Sequence, residues 1–329
     1  MKSVPSLSGY AHNVVPASAD SISRAAALLR EGHVVGLPTE TVYGLAADGL
    51  NPAALARIFE VKQRPFFDPL ILHFADAEAA FAVAERVPET ARLLAAKFWP
   101  GPLTLVLPKK AIVPDLATSG LPNAALRVPA HPVAQALLRA FGGPLAAPSA
   151  NRFGRISPTD AQAVHLELGD AVPLVLDGGP CTVGLESTVL NLSGEHPVLL
   201  RAGGVPLEQL EALIGPVQRA TPVDERPLGP GQLKHHYAPR KPLKLVRDAS
   251  EIPSRADVGW LVFGEKPTLF PGKVMLLSIS GDLREAAVNL FRSLRALDDD
   301  IAVTTLYATP LPPHGLGLAI NERLERAAH

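Results

Sequence analysis

The sequence predicts two α/β domains joined by a proline-rich linker, on three observations. At 329 residues, 47% of them hydrophobic, the chain has the length and apolar content for two cores. Residues 216–242 hold six prolines and no sustained apolar period, as a linker does. On both sides of that stretch short apolar strand signals alternate with amphipathic helical spacing, and over the last ninety or so residues the alternation implies a small α/β sandwich with a largely parallel sheet. The expected division is 1–217, a linker at 218–240, and 241–329.

Taken in order, Asp20 is placed to cap a helix through Leu29, with Ile22, Ala25, Ala26 and Leu29 on one face and Gly32 as its C′ stop. Val34 to Leu37 form a short buried strand that runs into Pro38-Thr39-Glu40-Thr41-Val42-Tyr43-Gly44-Leu45. Asn51 before Pro52 reads as an N-cap with proline at N1, so Ala53 to Val61 are expected to be helical, with Leu55, Ile58 and Phe59 inward. Lys62 and Arg64 fall at that helix's end. Dipole complementation needs a cation there but does not need two flanking a glutamine before a proline.

Leu70 to Phe74 read as a strand, Asp76 as the cap of a helix through Ala84, and Glu89 to Phe98 as a second helix. Leu103 to Leu107 are all apolar, as in a strand covered on both faces. In Leu126-Arg127-Val128 the arginine points opposite to its neighbours, to solvent or to a cleft, and a helix from Val133 to Phe141 should cover one side. Leu145 to Ala147 lead into Pro148-Ser149-Ala150-Asn151, Gly154, Ser157-Pro158-Thr159-Asp160 and a helix to Leu168. Small hydroxyl residues after a strand serve a tight turn or a bound phosphate. Leu174 to Leu176 form a strand, and Gly184 to Leu190 pair with Val198 to Leu200 as a hairpin across Ser193-Gly194-Glu195, with Arg201 at its end. Pro206 starts a helix to about Ile214. Beyond the linker come strands at Leu243–Val246, Gly259–Phe263 and Val274–Leu277, a helix at Leu283–Leu297, a strand at 301–307 and a helix at 318–327.

Bulk properties exclude several classes. A net charge of −1 argues against a broad basic face for long nucleic acid but leaves room for a local cationic pocket. Cys181 is the single cysteine, so there is no internal disulfide and no multi-cysteine zinc framework, and it reads as a small buried residue beside a turn. Residues 1–13 carry no apolar signal-peptide core, and no apolar run approaches the roughly 18 residues of a spanning helix, so a cytoplasmic protein is expected. P-loop, dinucleotide-fingerprint, zincin and hydrolase-elbow motifs are absent.

What remains is a set of polar residues at strand ends, where open α/β sheets bind ligands. Lys62, Arg64 and Arg201 are suited to neutralise a triphosphate, and Ser149, Ser157 and Ser187 with nearby amides to hydrogen-bond its oxygens. Arg127 can grip a planar carboxylate with two parallel bonds. Thr39, Thr41 and His73 can read a small polar substrate. In the linker, adjacent His235 and His236 project differently on any regular backbone, which favours a solvated loop over a metal pair. Tyr237 has no core to serve there.

The motifs L-P-T-E-T-V-Y-G-L at 37–45, K-Q-R-P at 62–65, P-L-I-L-H at 69–73, P-S-A-N at 148–151, S-P-T at 157–159, G-L-E-S-T-V at 184–189 and L-R-A-G-G at 200–204 resemble the YrdC-type threonylcarbamoyl-AMP synthases over about 1–217. G-P-G-Q-L-K-H-H-Y-A-P at 229–239 and L-G-L-A-I-N-E-R-L at 316–324 resemble the longer, two-domain branch. The resemblance implies a YrdC-like open twisted mixed sheet with flanking helices, plus a small Rossmann-like C-terminal domain. It implies conversion of L-threonine, bicarbonate and Mg-ATP to threonylcarbamoyl-AMP and pyrophosphate, for a tRNA threonylcarbamoyltransferase complex downstream that modifies the adenosine beside the anticodon. By resemblance, Thr41, His73, Arg127, Ser187 and the Ala147 backbone belong to threonine. Arg64, Asp68, Asn123, Ser149, Ser157, Arg201 and Tyr237 belong to ATP, with Lys62 and Arg64 as catalytic cations and Tyr237 as the closing element of a lid.

Two positions depart from the family pattern. Asp68 stands where many relatives have Asn, so a carboxylate would face phosphates unless Mg²⁺ or a protein cation intervenes, and Gln232 replaces a common Met. The competing reading is a YrdC-like module that contacts RNA without catalysis, which the near-neutral charge weakens.

Overall fold

The computed structural model describes residues 11–66, 68–220, 229 and 236–328. Pro230, Gly231, Gln232, Lys234 and His235 of the expected linker lie outside the described residues. In chain order the first elements are β1 (Val14–Pro16), α1 (Ala19–Arg30), β2 (Val35–Leu37), β3 (Gly44–Asp48), α2 (Pro52–Lys62) and β4 (Ile71–His73). Next come α3 (Ala77–Ala82), α4 (Glu89–Phe98), β5 (Leu103–Pro108), α5 (Asp115–Thr118), β6 (Asn123–Arg127), α6 (Pro132–Phe141) and β7 (Leu145–Ala146). They are followed by α7 (Ala161–Leu168), β8 (Val175–Asp177), β9 (Thr188–Asn191), β10 (Val198–Arg201), α8 (Leu207–Ile214) and β11 (Gln218–Arg219). The C-terminal part holds β12 (Leu243–Leu245), β13 (Val258–Phe263), β14 (Lys273–Ser278), α9 (Leu283–Asp299), β15 (Thr305–Ala308) and α10 (Leu316–Ala327).

Among the described residues β1 to β11 form one mixed sheet, in the order β1-β8-β2-β3-β7-β4-β6-β5-β9-β10-β11. A separate sheet, β12-β15-β13-β14, is parallel throughout, as the strand and helix alternation predicts. No helix among the described residues is long and apolar enough to cross a membrane.

Local chemistry explains most boundaries. Asn51 accepts from the amides of Ala53 and Ala54 and Asp76 from that of Ala79, so both cap their helices as expected. Helix α1, however, is capped by Ser18 rather than Asp20. The Ser18 and Ser21 hydroxyls each accept from the other's amide, and Asp20 sits in the first turn, where a negative charge complements the dipole. Strand β3 is invisible in the pattern because Gly-Leu-Ala-Ala-Asp has no β-branched residue; it is held by antiparallel pairing to β2. The last strand starts at Thr305 rather than 301 because Asp300 accepts from Ala302 and Val303 and closes a turn.

This topology gathers strand ends. β6 lies between β4 and β5, with Arg127 paired to His73 on one side and Thr104 on the other, so the Arg127 side chain is 3% exposed and faces a cleft, not solvent. One apolar cluster continues from Leu105 and Leu185 into Leu290, Phe291 and Leu324, so the two sheets share a core across their boundary. Helix α9 packs so closely on the 183–186 segment that only glycine fits at 184, where φ is +74° and a Cβ would lie 2.5 Å from the Ala287 oxygen and the Val288 Cα.

Gly184→Ala should therefore lower stability by about 1–3 kcal/mol through overpacking, on top of the backbone term. Gly32→Ala, with similar φ but open space around it, should cost only the backbone term. Urea midpoints of the two variants check this, and equal losses would show that the helix yields.

Candidate active site

The strand ends line one narrow, partly enclosed cleft. Thr41, Arg64, Asp68, His73, Arg127, Ala147, Ser149, Ser187, Arg201 and Tyr237 all line it, and so does Thr39. The wall divides into two electrostatic neighbourhoods.

In the first, the Thr39 hydroxyl donates to the Val42 carbonyl (2.6 Å), so its contact with the Thr41 hydroxyl (2.8 Å) is one it accepts. The Thr41 proton is thus committed and its oxygen presents lone pairs. Nδ1 of His73 carries the proton, because its partner is the Ile71 carbonyl (3.2 Å). Burial, and then the Arg127 charge, push this imidazole down to about 3. Arg127 is already paired: Nη2 bonds Glu40 Oε1 (2.6 Å) and Nε the Gly101 carbonyl (3.3 Å). Glu40 Oε2 accepts from the Ala130 amide (3.1 Å). The guanidinium is thus partly engaged within the protein, and Nη1 is the nitrogen without an acceptor among the described residues.

In the second, Arg64 Nη2 pairs with Asp68 Oδ2 at 2.8 Å and also reaches the Pro69 carbonyl (3.0 Å), while Nε bonds the Asp68 carbonyl (3.2 Å). Arg64 is the cation that Asp68 requires. Burial raises the Asp68 carboxyl while Arg64, Lys62 and Arg201 pull it back, and its Oδ1 is buried without a partner among the described residues. Arg201 holds the Ser187 carbonyl through Nη2 and Nε (2.8 and 3.1 Å) and the Ser187 hydroxyl through Nη2 (3.1 Å). That hydroxyl also meets Thr104 (2.7 Å), the neighbour of Arg127, so Ser187 joins the two halves.

Three predicted residues stand outside the wall. Lys62 is buried, with Nζ bonded to the carbonyls of Ser149 and Asn151, so it clamps the 149–151 loop instead of facing the cleft. Burial, reinforced by Arg64, pushes its pKa well below the usual range. Ser157 gives its hydroxyl to Glu186 Oε1 (2.6 Å) and reaches the cleft only through that carboxylate. Asn123 begins β6 and lines an adjoining groove with Gly229, separated from the cleft by Pro69, which belongs to both.

Three wall or support residues escape the sequence reading. Glu40 and Glu186 sit inside quoted motifs but their role depends on which arginine folds against them. The sequence places His236 in a solvated loop; instead it lines the cleft, its ring 4.2 Å from Tyr237 and 5.9 Å from Phe153, with Nδ1 buried and unpartnered among the described residues. Burial lowers it to about 3. Tyr237 is 1% exposed, in the left-handed region (φ 68°), stacked on Phe291 at 5.5 Å. The next residue, Ala238, donates to the Gly154 carbonyl (2.7 Å), which fastens this end of the linker to the first domain. Cys181 is buried and its thiol is raised by burial, as an inert core residue.

Both wall histidines should stay neutral from pH 8 to below pH 5, seen as invariant imidazole shifts in NMR. An unfolded histidine takes up its proton near 6.5 and folded His73 near 3, so the contribution of neutral His73 is fully present above 6.5 and is lost as pH falls towards 3. Titration of the His73 or His236 imidazole near 6.5 in the folded protein would contradict the burial of that ring.

Residues 27–203 match the family model described as "Telomere recombination", and residues 205–329 the one described as "Threonylcarbamoyl-AMP synthase, C-terminal domain". Threonylcarbamoyl-AMP synthase of Bacillus subtilis is 42% identical over 93% of this chain and 92% of its own length. That of Pyrococcus abyssi is 40% identical over 92% and 93%. The crystal structure of P. abyssi Sua5 complexed with L-threonine superposes with a TM-score of 0.87 and 38% identity, covering 96% of each chain. The first description names a process and not a chemistry; the second model and the full-length relatives agree on one reaction. With both segments matched in order, the chain belongs to the threonylcarbamoyl-AMP synthase family in its two-domain form.

Proposed function

We propose that this protein forms threonylcarbamoyl-AMP and pyrophosphate from L-threonine, bicarbonate and ATP. The observation that carries the reading is one cleft with two differently charged halves that meet at Ser187. L-threonine in the P. abyssi relative supports the amino-acid half. There, Thr41 offers lone pairs to the ammonium, Arg127 its remaining nitrogen to the carboxylate, and His73 and the Ala147 backbone complete the wall. Arg64, Arg201 and Ser149 take the triphosphate, with His236 and Tyr237 closing over the nucleotide. Asn123 serves the groove beyond Pro69, and Ser157 acts through Glu186.

Bicarbonate gives CO₂ and hydroxide; the hydroxide takes a proton from the threonine ammonium and leaves as water, the freed amine attacks the CO₂ carbon, and the second N–H proton passes to solvent, giving a carbamate. A carbamate oxygen then attacks the α-phosphorus, and the bond to the β-phosphate bridging oxygen breaks to release pyrophosphate. Two anions must be aligned against their repulsion, so fixed guanidinium groups in a water-poor cleft supply most of the catalysis, and no protein base is required. Mg²⁺ fits this site, because the orphaned Asp68 Oδ1 is a hard oxygen ligand. The described residues hold no cluster of three or more metal-ligating side chains, so the ion would come with the phosphates. When bound, it would neutralise charge on them. Lys62 shapes the 149–151 loop. The product, a reactive mixed anhydride, would pass to a tRNA threonylcarbamoyltransferase complex in the cytoplasm. A non-catalytic RNA-contacting module leaves the two-halved cleft without a purpose.

Pyrophosphate release from ATP should require both L-threonine and bicarbonate; release indifferent to threonine would remove this reading. Arg127→Lys, which keeps the charge facing Glu40 but loses the fork, should raise the threonine KM roughly tenfold or more and that for ATP less than about twofold. Equal effects on both would remove the carboxylate role.

A further inference from the structure

We infer that Arg323, in the C-terminal domain, is a positioning residue for the nucleotide half of the cleft, so that this domain completes the site as well as anchoring the linker. The inference rests on the proposed function and adds to it. Arg323 is fully buried, on helix α10, and makes its contacts across the domain boundary. Nε donates to Glu186 Oε2 (3.0 Å), Nη1 to the Ala202 carbonyl (2.6 Å), and the guanidinium lies 5.3 Å from the centre of the Tyr237 ring. Of these partners Glu186 and Tyr237 line the cleft and Ala202 follows Arg201, which does; within α10 Arg323 also meets the Ala319 carbonyl (3.4 Å) and the Glu322 carboxylate (3.7 Å).

Neighbouring contacts of the same helix repeat the pattern. Glu322 Oε2 accepts from the Ala202 amide (3.3 Å), so consecutive residues of α10 hold the N–H and the C=O of one residue beside Arg201. The Arg326 carbonyl accepts from the His236 amide (3.5 Å) at the linker's end.

A buried guanidinium is a poor choice if the only need is to hold two domains together. Desolvation of such an ion costs several kcal/mol, and apolar residues of similar volume hold an interface as well or better. Nη2 also has no acceptor among the described residues. What a guanidinium adds is direction, through planar donors and a cation–π face. Here the donors fix one oxygen of Glu186 while Ser157 occupies the other, and the face holds the Tyr237 ring. Burial alone would raise the Glu186 carboxyl; Arg323, Arg201 and the Ser157 hydroxyl outweigh it and keep Glu186 below the usual range. A carboxylate held in this way cannot swing to neutralise Arg64 or Arg201, which stay available for phosphates. None of these contacts of α10 reaches the threonine half.

The test uses full-length protein with Arg323→Gln, Arg323→Lys and Glu322→Gln, the last in case loss of the buried cation prevents folding. Binding of a non-hydrolysable ATP analogue and of L-threonine is measured by calorimetry, beside threonine-dependent pyrophosphate release. Arg323→Gln should weaken the analogue roughly tenfold or more and leave threonine within about twofold, with Arg323→Lys intermediate; Glu322→Gln should shift the analogue in the same direction by less. Equal weakening of both ligands, or of neither, in whichever variants fold would overturn the inference. Wild-type protein without threonine-dependent release would instead defeat the functional reading, and the inference with it.

Discussion

Three arginine–carboxylate pairs taken out of water around one cleft are the constraint on which the rest of the structure depends. Arg64 with Asp68, Arg127 with Glu40 and Arg323 with Glu186 lie at 2.6–3.0 Å, with side chains at most 8% exposed. Breaking such a pair leaves an uncompensated buried charge, at a cost of about 3–5 kcal/mol, comparable to much of a domain's net stability. Each pair therefore fixes two chain segments at once: the end of α2 to the turn before β4, the segment after β2 to β6, and the C-terminal helix to the loop before β9.

The pairs also set the field in the cleft. Arg64, Arg127, Arg201 and Arg323 are set among Glu40, Asp68, Glu186 and Glu322, so cations are gathered at one cleft inside a chain whose net charge is −1. Internal carboxylates, and for Arg201 the Ser187 carbonyl and hydroxyl, hold the arginines in place without spending all of their donors, which is a way to keep cations ordered and desolvated before an anionic ligand arrives. The arrangement is preorganised, and the aromatic pair His236 and Tyr237 closes one side of it.

Much of this is legible along the chain. Asn51 and Asp76 cap helices because an Asx side chain followed by helical spacing has one good solution. Residues at strand ends, from Thr41 to Arg201, converge because sheet topology brings strand ends together. Other positions depart from the sequence reading for physical reasons. Ser18 takes the cap position in place of Asp20, with Ser18 and Ser21 satisfying each other's amides while Asp20 sits in the first turn. Lys62 and Ser157 look like ligand groups by type and place, yet their polar atoms are spent on the Ser149 and Asn151 carbonyls and on Glu186. His236 looks solvated because nothing near it in sequence supplies the walls that bury it; those come from Phe153 and helix α10.

The sequence by itself determined the two-domain α/β plan, the cluster of polar residues at strand ends, and through its ordered motifs the family. These depend on local periodicity, capping and residue type, which are properties of neighbours along the chain. Which arginine meets which carboxylate, which hydroxyl faces the cleft, and that Arg323 crosses from the second domain to Glu186, 137 residues away in sequence, were decided only by the tertiary structure. The reason is that a charge or a hydrogen-bond donor acquires its role from the partner that satisfies it, and here folding supplies most of those partners from distant segments.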